Sequence, residues 1–251
     1  MDVFAVEGLP EVRPGDDIAA LVADRVSLQP DDVVCVASTI VSKAEGRQAD
    51  YADFEAGERA REIARRRSDQ TGEERDPRFA QAVLEESREL LLEYPILLAV
   101  THFGHVTVNA GIDRSNVPDA DMLLLPEDPT ASAERLSSAL DVPVVVTDTS
   151  GRPFRHGQRG VALGWAGLPA ARDWRGETDR EGRMLEATVQ AVVDELAAAA
   201  NLVAGEGAGG TPVAVVRGWE FGDHEGSDNL FRSDEDDLIR EPLRAYSYVG
   251  E

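Results

Sequence analysis

The sequence is short of cysteine and of long apolar runs. Cys35 is the only cysteine among 251 residues, so no disulfide can form within the chain. It lies in the apolar run VVCVA, which favours an inert core thiol over a nucleophile. No apolar run approaches the length needed to span a bilayer, and the N-terminus MDVFAVEGLPEV lacks the basic-then-apolar order of a signal peptide. These absences predict a soluble, cytoplasmic protein.

Basic residues are scarce as well. Lysine and arginine total 25 against 48 aspartates and glutamates, a formal net charge of -23, and Lys43 is the only lysine. Such a surface repels nucleic acid and anionic membranes, so we expect neither as a partner. The excess acid is interpreted as an adaptation to a salt-rich cytosol, where screening weakens self-repulsion. The acidic stretch Ser233–Asp237 is expected to be a solvated run and not a metal site.

The hydrophobic content of 42% suffices for a substantial core. Helical spacing of apolar residues and capping residues predict helices over 16–26, 54–67, 77–91, 129–140 and 184–203. Apolar runs between turn signals predict strands over 33–37, 96–101, 105–108, 122–125, 142–147, 161–166 and 213–216. Segment 38–46 is predicted to be a polar loop, and Gly164 to interrupt its strand. Strands and helices do not alternate strictly, and a hairpin is expected around Gly104, so the pattern favours an α+β fold with a mixed sheet.

Familiar catalytic motifs are missing. The sequence contains no GxxxxGK[ST], no GxGxxG after a first strand and no HExxH. His102 and His105 have a spacing that could ligate zinc, but partner cysteines are absent, and structural roles are favoured for both.

The remaining candidates for a functional site are side chains that could bind a metal ion through oxygen. Asp113 lies in the polar segment 109–116 after a predicted strand, and Asp148 with Thr149 follows another strand. Carboxylates and hydroxyls suit Mg²⁺ or Mn²⁺, which keep non-protein ligands such as nucleotide phosphates. The alternative is that Asp113 and Asp148 only cap turns.

Basic side chains near Asp148 suggest an anion site. Arg152, Arg155 and Arg159 could hold phosphate or carboxylate bidentately, or could pair with surface glutamates. Lys43 is either a phosphate contact or a surface residue. The glycine-rich segment 205–210 could present backbone N–H groups to an anion, or could simply connect two elements.

Several stretches together resemble one family, the archaeal γ-glutamyl ligases that add glutamate to the deazaflavin coenzyme F420. They occur in family order over nearly all of residues 6 to 218. The stretches are VEGLPEV, ASTIVSKAEGR, NAGIDRSNV, LLLPEDP, TDTSGRPFRHGQRGVALGWAG, RDWRGETDREGR, VDELAAAANLVAGE and TPVAVVRG.

The resemblance implies a GTP-dependent, metal-dependent ligase that adds L-glutamate first to coenzyme F420-0 and then to the γ-carboxyl of the first glutamate. It implies two divalent ions, Mg²⁺ or Mn²⁺, with K⁺ as a candidate further ion. Catalytic roles fall on Asp113, Asp148 and Lys43. Metal ligands fall on Asp113, Asp148, Thr149 and Glu206. Nucleotide contacts fall on Leu9, Pro10, Glu11, Val12, Ser38, Thr39, Lys43, Asn116, Ala204, Gly205, Glu206, Gly207, Ala208, Gly209, Gly210 and Thr211.

The resemblance also implies a two-lobed α+β protomer, a mixed sheet with flanking helices and an intertwined homodimer. We expect a ligase domain over 1–218 and an acidic extension over 219–251 that packs on it or trails from it. Two other functions remain open at this point. One is a metal-dependent nucleotide phosphohydrolase or nucleotidyltransferase, and the other is a non-enzymatic GTP-binding regulator.

Overall fold

The structure is a computed structural model that describes residues 1–115, 117, 119–207 and 209–245. The strands in these residues are β1 Asp2–Ala5, β2 Asp32–Ala37, β3 Gln48–Ala49, β4 Ser87–Leu92, β5 Leu98–Thr101, β6 Val106–Val108, β7 Met122–Leu123, β8 Val144–Ser150, β9 Arg159–Ala166, β10 Ala171–Asp173, β11 Val189–Gln190, β12 Val213–Arg217 and β13 Glu225–Ser227. The α-helices are α1 Ile18–Ala23, α2 Ser38–Ala44, α3 Glu58–Thr71, α4 Pro77–Glu85, α5 Pro129–Leu140, α6 Val192–Ala204 and α7 Arg240–Ala245.

The chain divides into two compact units. Unit 1 contains Met1–Gly46 and Asp128–Leu230. Unit 2 contains Arg47–Glu127 and the described part of Phe231–Glu251. Sheets and helices occur in both units, which confirms the predicted α+β class.

Unit 1 is built on a five-stranded sheet of order β1-β12-β2-β8-β9. Only β2 and β8 run parallel, and the other pairs are antiparallel, so the predicted mixed sheet is confirmed. Both faces are covered, which explains the unbroken apolar sequence of β2. Val34 and Val36 face the core that includes α1, while Val33 and Cys35 face the core that includes α6. This alternation follows from the two-residue period of a strand.

Strand β9 continues through Gly164, so the predicted interruption there is wrong. Thr147 pairs with Ala162 and Val146 with Gly164, which leaves Leu163 as an extra residue in β9. Such a bulge changes which residues face each side of the sheet. Gly160 therefore lies against α6, where a Cβ would be 2.3 Å from the Ala197 carbonyl oxygen. Gly164 lies against the start of α5, so both glycines permit close helix packing.

Unit 2 contains the sheet β4-β5-β6 and the pair β3-β7. Strands β5 and β6 form the predicted hairpin around Gly104, whose φ of +98° suits glycine. The core of this unit lies between its sheets and helices α3 and α4. Its most buried members include Ala60, Ile63, Val83 and Met122.

Three predicted boundaries are wrong. Segment 38–44 is helix α2 and not a loop, because Ile40 and Val41 are buried in the core of unit 1 and this packing outweighs weak helix propensity. Helix α4 ends at Glu85, and β4 follows because it finds a partner in β5. Helix α6 begins at Val192 and not at 184, because β11 pairs with β10 immediately before it.

The acidic run near the C-terminus is not merely solvated. Asp234 and Asp237 both form ion pairs with Arg240, whose side chain is buried. Arg244 pairs with Asp234 at 2.8 Å and also with Glu89 of β4. These ion pairs attach α7 to the sheet of unit 2. The Arg244 guanidinium lowers the pKa of Glu89, which keeps that carboxyl charged.

No helix among the described residues is long and apolar enough to cross a membrane.

The net charge of -23 leads to a prediction about salt. We expect the midpoint of thermal unfolding, or the stability of a dimer, to rise as salt increases from low to molar concentration. The reason is acidic self-repulsion, which weakens as the Debye length falls to about 3 Å at 1 M. Unfolding should be followed by circular dichroism in NaCl and in choline chloride. NaCl and choline chloride should raise the midpoint equally at equal ionic strength. A midpoint that does not change with salt concentration in either series would contradict the prediction.

Candidate active site

Polar side chains gather where the parallel strands β2 and β8 end. Ala37 pairs with Thr147, so the residues that follow, Ser38 and Asp148, lie side by side. The Ser38 hydroxyl is buried and donates a hydrogen bond to the Asp148 carboxylate over 3.4 Å. Strand β8 continues past this point to Ser150, so Asp148 lies inside a strand and not in the loop after it. The backbone of Asp148 is held by pairing with Val161 of β9.

Thr149 links this strand to the glycine-rich segment. Its hydroxyl donates to the Glu206 carboxylate over 2.9 Å. The side-chain amide of Asn201, in the last turn of α6, donates to the same carboxylate oxygen over 2.6 Å and lies 3.3 Å from the Thr149 hydroxyl oxygen. The structure therefore brings together Thr149 and Glu206, which the resemblance paired as metal ligands.

The glycine-rich segment 205–210 begins where α6 ends. Gly205 and Gly210 have φ of +71° and +63°, a left-handed conformation that favours glycine. A Cβ on Gly205, Gly207 or Gly210 would meet nothing within 4 Å, so the backbone here is open. The Thr211 hydroxyl donates to the Ala204 carbonyl over 2.9 Å and closes the segment. Ala208, a predicted nucleotide contact, lies outside the described residues.

Lys43 and the segment Leu9–Val12 form a second polar group in unit 1. The Lys43 side chain is buried and its ammonium donates to Glu11 over 2.5 Å. Val12 is buried, whereas Pro10 and Glu11 are exposed. Lys43 is held inside α2, so it is neither a loop residue nor a free surface lysine. Thr39 is half-buried in the first turn of the same helix.

Asp113 belongs to unit 2 and pairs across an isolated bridge with Leu123. The backbone N–H and the hydroxyl of Ser115 donate to its carboxylate over 2.7 and 2.8 Å. This arrangement is an Asx-type turn, as the turn-capping alternative predicts, and it leaves the metal role untested. Asn116, a predicted nucleotide contact, lies outside the described residues.

The side chains at the end of β8 are of the chemical type that Mg²⁺ and Mn²⁺ prefer, namely carboxylates and a hydroxyl. They lie on two faces of the sheet, because successive strand residues alternate: Asp148 contacts Ser38, whereas Thr149 and Glu206 contact Asn201 of α6. Among the described residues, no group of three or more histidine, cysteine, aspartate or glutamate side chains is arranged to hold a metal. A cation at this place would therefore need oxygen atoms from other sources, such as phosphate.

Comparison with known proteins identifies the family. The profile described as F420-0:Gamma-glutamyl ligase matches residues 8–218. The chain belongs to this family of F420-0:γ-glutamyl ligases. Proteins named coenzyme F420:L-glutamate ligase are similar along their whole length. The one from Natronomonas pharaonis is 73% identical over 100% of this chain and 99% of its own. The one from Halobacterium salinarum is 65% identical over 100% of both chains.

More distant members of the ligase family are still clearly related. The coenzyme F420:L-glutamate ligase of Archaeoglobus fulgidus is 47% identical over 97% of this chain and 98% of its own. The resemblance inferred from the eight stretches is thus confirmed. The most similar relatives come mainly from halophilic archaea, which agrees with the acidic composition.

Two residues of this ligase family member escaped the sequence analysis. Asn201 touches both Thr149 and Glu206, and the available signal was an asparagine inside the otherwise apolar stretch of α6. Asparagine is a weak helix former, so its presence there suggests a specific contact. Glu45 also has a defined role, since Ser132 and Arg135 of α5 both donate to its carboxylate over 2.5 Å.

The three arginines near Asp148 in the sequence lie after strand β8. Arg152 and Arg155 are exposed in the loop between β8 and β9, and Arg159 is the first residue of β9. Within the described part of the chain, none of the three forms an ion pair. The alternative in which they pair with surface glutamates is not observed there.

Burial bears on two further alternatives. Burial raises the pKa of the Cys35 thiol to about 12, so it is the inert core thiol that was predicted. His102 is exposed and its ring contacts the Glu85 carbonyl, whereas His105 is buried beside Phe231. The two rings have separate surroundings, and their structural roles stay a prediction.

His105 leads to a prediction about acid stability. Burial lowers the pKa of this imidazole from 6.5 to about 4. Between these values the unfolded chain binds a proton that the folded chain does not, so stability falls as pH decreases from about 6.5 to about 4. The loss should be roughly 3 kcal/mol, because one pKa unit corresponds to about 1.4 kcal/mol. Urea unfolding of the wild-type protein at several pH values measures it.

The control for this prediction compares His105→Gln with His102→Gln. Glutamine does not titrate, so His105→Gln should have a much weaker dependence of unfolding free energy on pH in this range. His102→Gln should keep the wild-type dependence, since His102 is exposed. An unchanged slope in His105→Gln would show that His105 does not cause the acid sensitivity.

Proposed function

We propose that this protein joins L-glutamate to coenzyme F420-0 at the expense of GTP, and then adds a second glutamate through the γ-carboxyl of the first. Family membership supports the ligase reaction. The observation that carries the finer proposal is the hydrogen bond from Thr149, the strand residue after Asp148, to Glu206 of the open glycine-rich segment. Carboxylate and hydroxyl oxygens beside an open backbone segment suit phosphate chemistry assisted by a divalent cation.

The reaction must activate a carboxylate, since an amine does not attack a carboxylate at a useful rate. In the proposed first step an oxygen of the F420-0 carboxylate bonds to the γ-phosphorus of GTP as the bond to the β-phosphate oxygen breaks. GDP leaves and an acyl phosphate remains. In the second step the glutamate amine attacks the acyl carbon, loses its proton to solvent and displaces phosphate. No covalent bond to the enzyme is needed, which agrees with the buried, unreactive state of Cys35.

The described side chains have separate tasks in this scheme. Asp148, Thr149 and Glu206, with Asp113 as a further proposed ligand, would hold Mg²⁺ or Mn²⁺. When bound, the divalent ions neutralise charge on the γ-phosphate and favour in-line transfer. Ser38 fixes the Asp148 carboxylate and Asn201 fixes Glu206. K⁺ and a homodimeric assembly belong to the same proposal.

Lys43 is the proposed cation for the transferred phosphate. Its ammonium is held by Glu11, so it lies beside the segment Leu9–Val12 that is proposed to contact the guanine nucleotide. An ammonium prepositioned in this way needs no rearrangement to stabilise oxyanions in the transition state.

The decisive experiment is mass spectrometry of F420-0 incubated with the protein, GTP, Mn²⁺ and L-glutamate. Sequential mass increases of one and two glutamate residues would support the proposal. Release of phosphate from GTP without F420-0 and glutamate would favour a nucleotide phosphohydrolase. Tight GTP binding without turnover with any acceptor would favour a GTP-binding regulator.

Nucleotide choice supplies a further prediction. We expect GTP to be a better donor than ATP by at least about tenfold in kcat/KM. The reason is that an unpaired buried polar edge of the wrong base costs about 1–3 kcal/mol, and 1.4 kcal/mol is about tenfold. Inosine triphosphate, which lacks the 2-amino group of guanine, is the matched control and should fall between the two. Equal turnover with GTP and ATP would show that the base is not recognised.

A further inference from the structure

We propose that residues 151–159, called here the arginine loop, bind the anionic acceptor of the ligation. Arg152, Arg155 and Arg159 would contact its carboxylate or phosphate oxygens, and Phe154 would offer an apolar face to a flat part of the same molecule. This inference rests on the proposed function and assigns a substrate to a segment that has no role in it so far.

The first support is charge. The chain carries a net charge of -23, and many of its arginines, though not all, pair with acids. Arg175, for example, lies 2.5 Å from Asp173, and Arg217 lies 2.7 Å from Asp32. In the part of the chain that the structure describes, the three guanidinium groups of the arginine loop form no such pair. Three unpaired cations within eight residues of an acidic protein are suited to an external anion.

The second support is position. Ser150 pairs with Arg159 and Thr149 with Gly160, so both ends of the arginine loop are anchored at the end of β8 that carries Asp148. Its middle residue is at most about four residues from an anchored end, a chain reach of roughly 14 Å. A molecule held by the loop can therefore place a carboxylate beside Asp148.

The third support is Phe154. Its side chain is fully exposed, and its φ of +64° is a left-handed conformation that bulky residues rarely adopt. Strained residues of this kind persist mainly at functional sites. A phenyl ring at a loop tip, flanked by arginines, can stack on a planar group while the guanidinium groups hold its charged end.

The acceptor fits this loop better than the other two substrates. The nucleotide is already assigned to Leu9–Val12, to α2 with Lys43 and to the glycine-rich segment. Glutamate is small and has no planar group for Phe154. The acceptor is a flavin-like anion that must present its carboxylate to the phosphate, and no other described segment is assigned to it.

The test uses Arg152→Gln and Arg155→Gln in the full-length protein, with Arg180→Gln as the matched control. Arg180 is also exposed and has no ion pair within the described residues, but it lies in the turn 179–183 of the same unit. Steady-state KM is measured separately for F420-0, GTP and L-glutamate. Calorimetry measures F420-0 binding without nucleotide.

We expect each loop variant to raise KM and Kd for F420-0 by about tenfold or more, the usual effect of losing a charge-assisted hydrogen bond. KM for GTP and glutamate should change less than about twofold, and Arg180→Gln should match wild type. Arg155→Lys, which keeps the charge but cannot bind bidentately, should recover only part of the affinity.

Three results would overturn the assignment while leaving the proposed function intact. These are a wild-type KM for F420-0 in both variants, a rise confined to KM for GTP, and a changed oligomeric state on gel filtration with all KM values unchanged. Failure of the wild-type protein to ligate F420-0 would instead refute the proposed function. Melting temperatures near wild type establish that the variants are folded.

Discussion

Asp148→Asn is expected to lower turnover by at least about a hundredfold while leaving the metal-free melting temperature near wild type. Asparagine keeps the shape of the side chain and can still accept the hydrogen bond from Ser38. It removes the negative charge that would hold a divalent cation, so catalysis is lost while packing is retained. Turnover is measured across Mn²⁺ concentrations, Mn²⁺ affinity by electron paramagnetic resonance, and melting in excess chelator.

Asp32→Asn is the matched control, since Asp32 lies at the start of the neighbouring strand β2, at the opposite end from Ser38 and Asp148. Its carboxylate is buried and bonds Arg217 over 2.7 Å, and the pKa of Asp32 is lowered chiefly by that bond. Breaking a buried pair costs about 3–5 kcal/mol, so this variant should lose stability but keep its turnover per folded molecule. If Asp148→Asn instead melted early and kept full turnover, Asp148 would be a structural turn residue and the metal site would be refuted.

Gly164→Ala is expected to destabilise unit 1 by at least about 3 kcal/mol, the upper part of the range for overpacked cores. An added Cβ would lie 2.3 Å from the carbonyl carbon of Pro129 and 2.5 Å from the backbone nitrogen of Thr130. These are backbone atoms at the start of α5, which cannot rotate away as a side chain would. The melting temperature should fall by at least about 6 °C for a protein of this size, or the protein should fail to accumulate in soluble form.

Gly151→Ala is the control for this variant, because a Cβ there meets nothing within 4 Å. It should melt close to wild type. Gly160→Ala should resemble Gly164→Ala, since the Ala197 carbonyl of α6 blocks its Cβ in the same way. A wild-type melting temperature for Gly164→Ala would mean that α5 packs farther from β9 than the structure indicates.

Some elements followed directly from local sequence. Asp17, Asp76 and Asp128 directly precede helices and accept hydrogen bonds from the first turn, which is the usual role of aspartate at a helix start. The apolar run of β2 and the hairpin at Gly104 were also predicted correctly. In each case the residues that decide the structure are neighbours in the chain, so their pattern is visible without tertiary contacts.

Family membership could likewise be inferred from the sequence, because eight short stretches in a fixed order are far more specific than any one of them. The acidic composition could be read in the same way, since net charge needs no structure, and it agrees with the halophilic hosts of several relatives. The metal and nucleotide roles of the implied residues stay predictions, as do the two-lobed protomer, the homodimer and the division into 1–218 and 219–251.

Other segments could form more than one secondary structure, and only the tertiary structure decided between them. Segment 38–44 becomes helical through burial of Ile40 and Val41, and β4 replaces the end of a predicted helix because β5 is available to pair with it. Asn201 and Glu206 form hydrogen bonds with Thr149, although both lie more than fifty residues after Thr149 in the chain. No periodic pattern in the sequence links these residues to Thr149. The sequence by itself determined the family, the fold class and the acidic surface, since these depend on composition and local pattern. The bulge in β9, the buried ion pairs of α7 and the contacts around Asp148 depend on distant segments packing together, which local pattern does not encode.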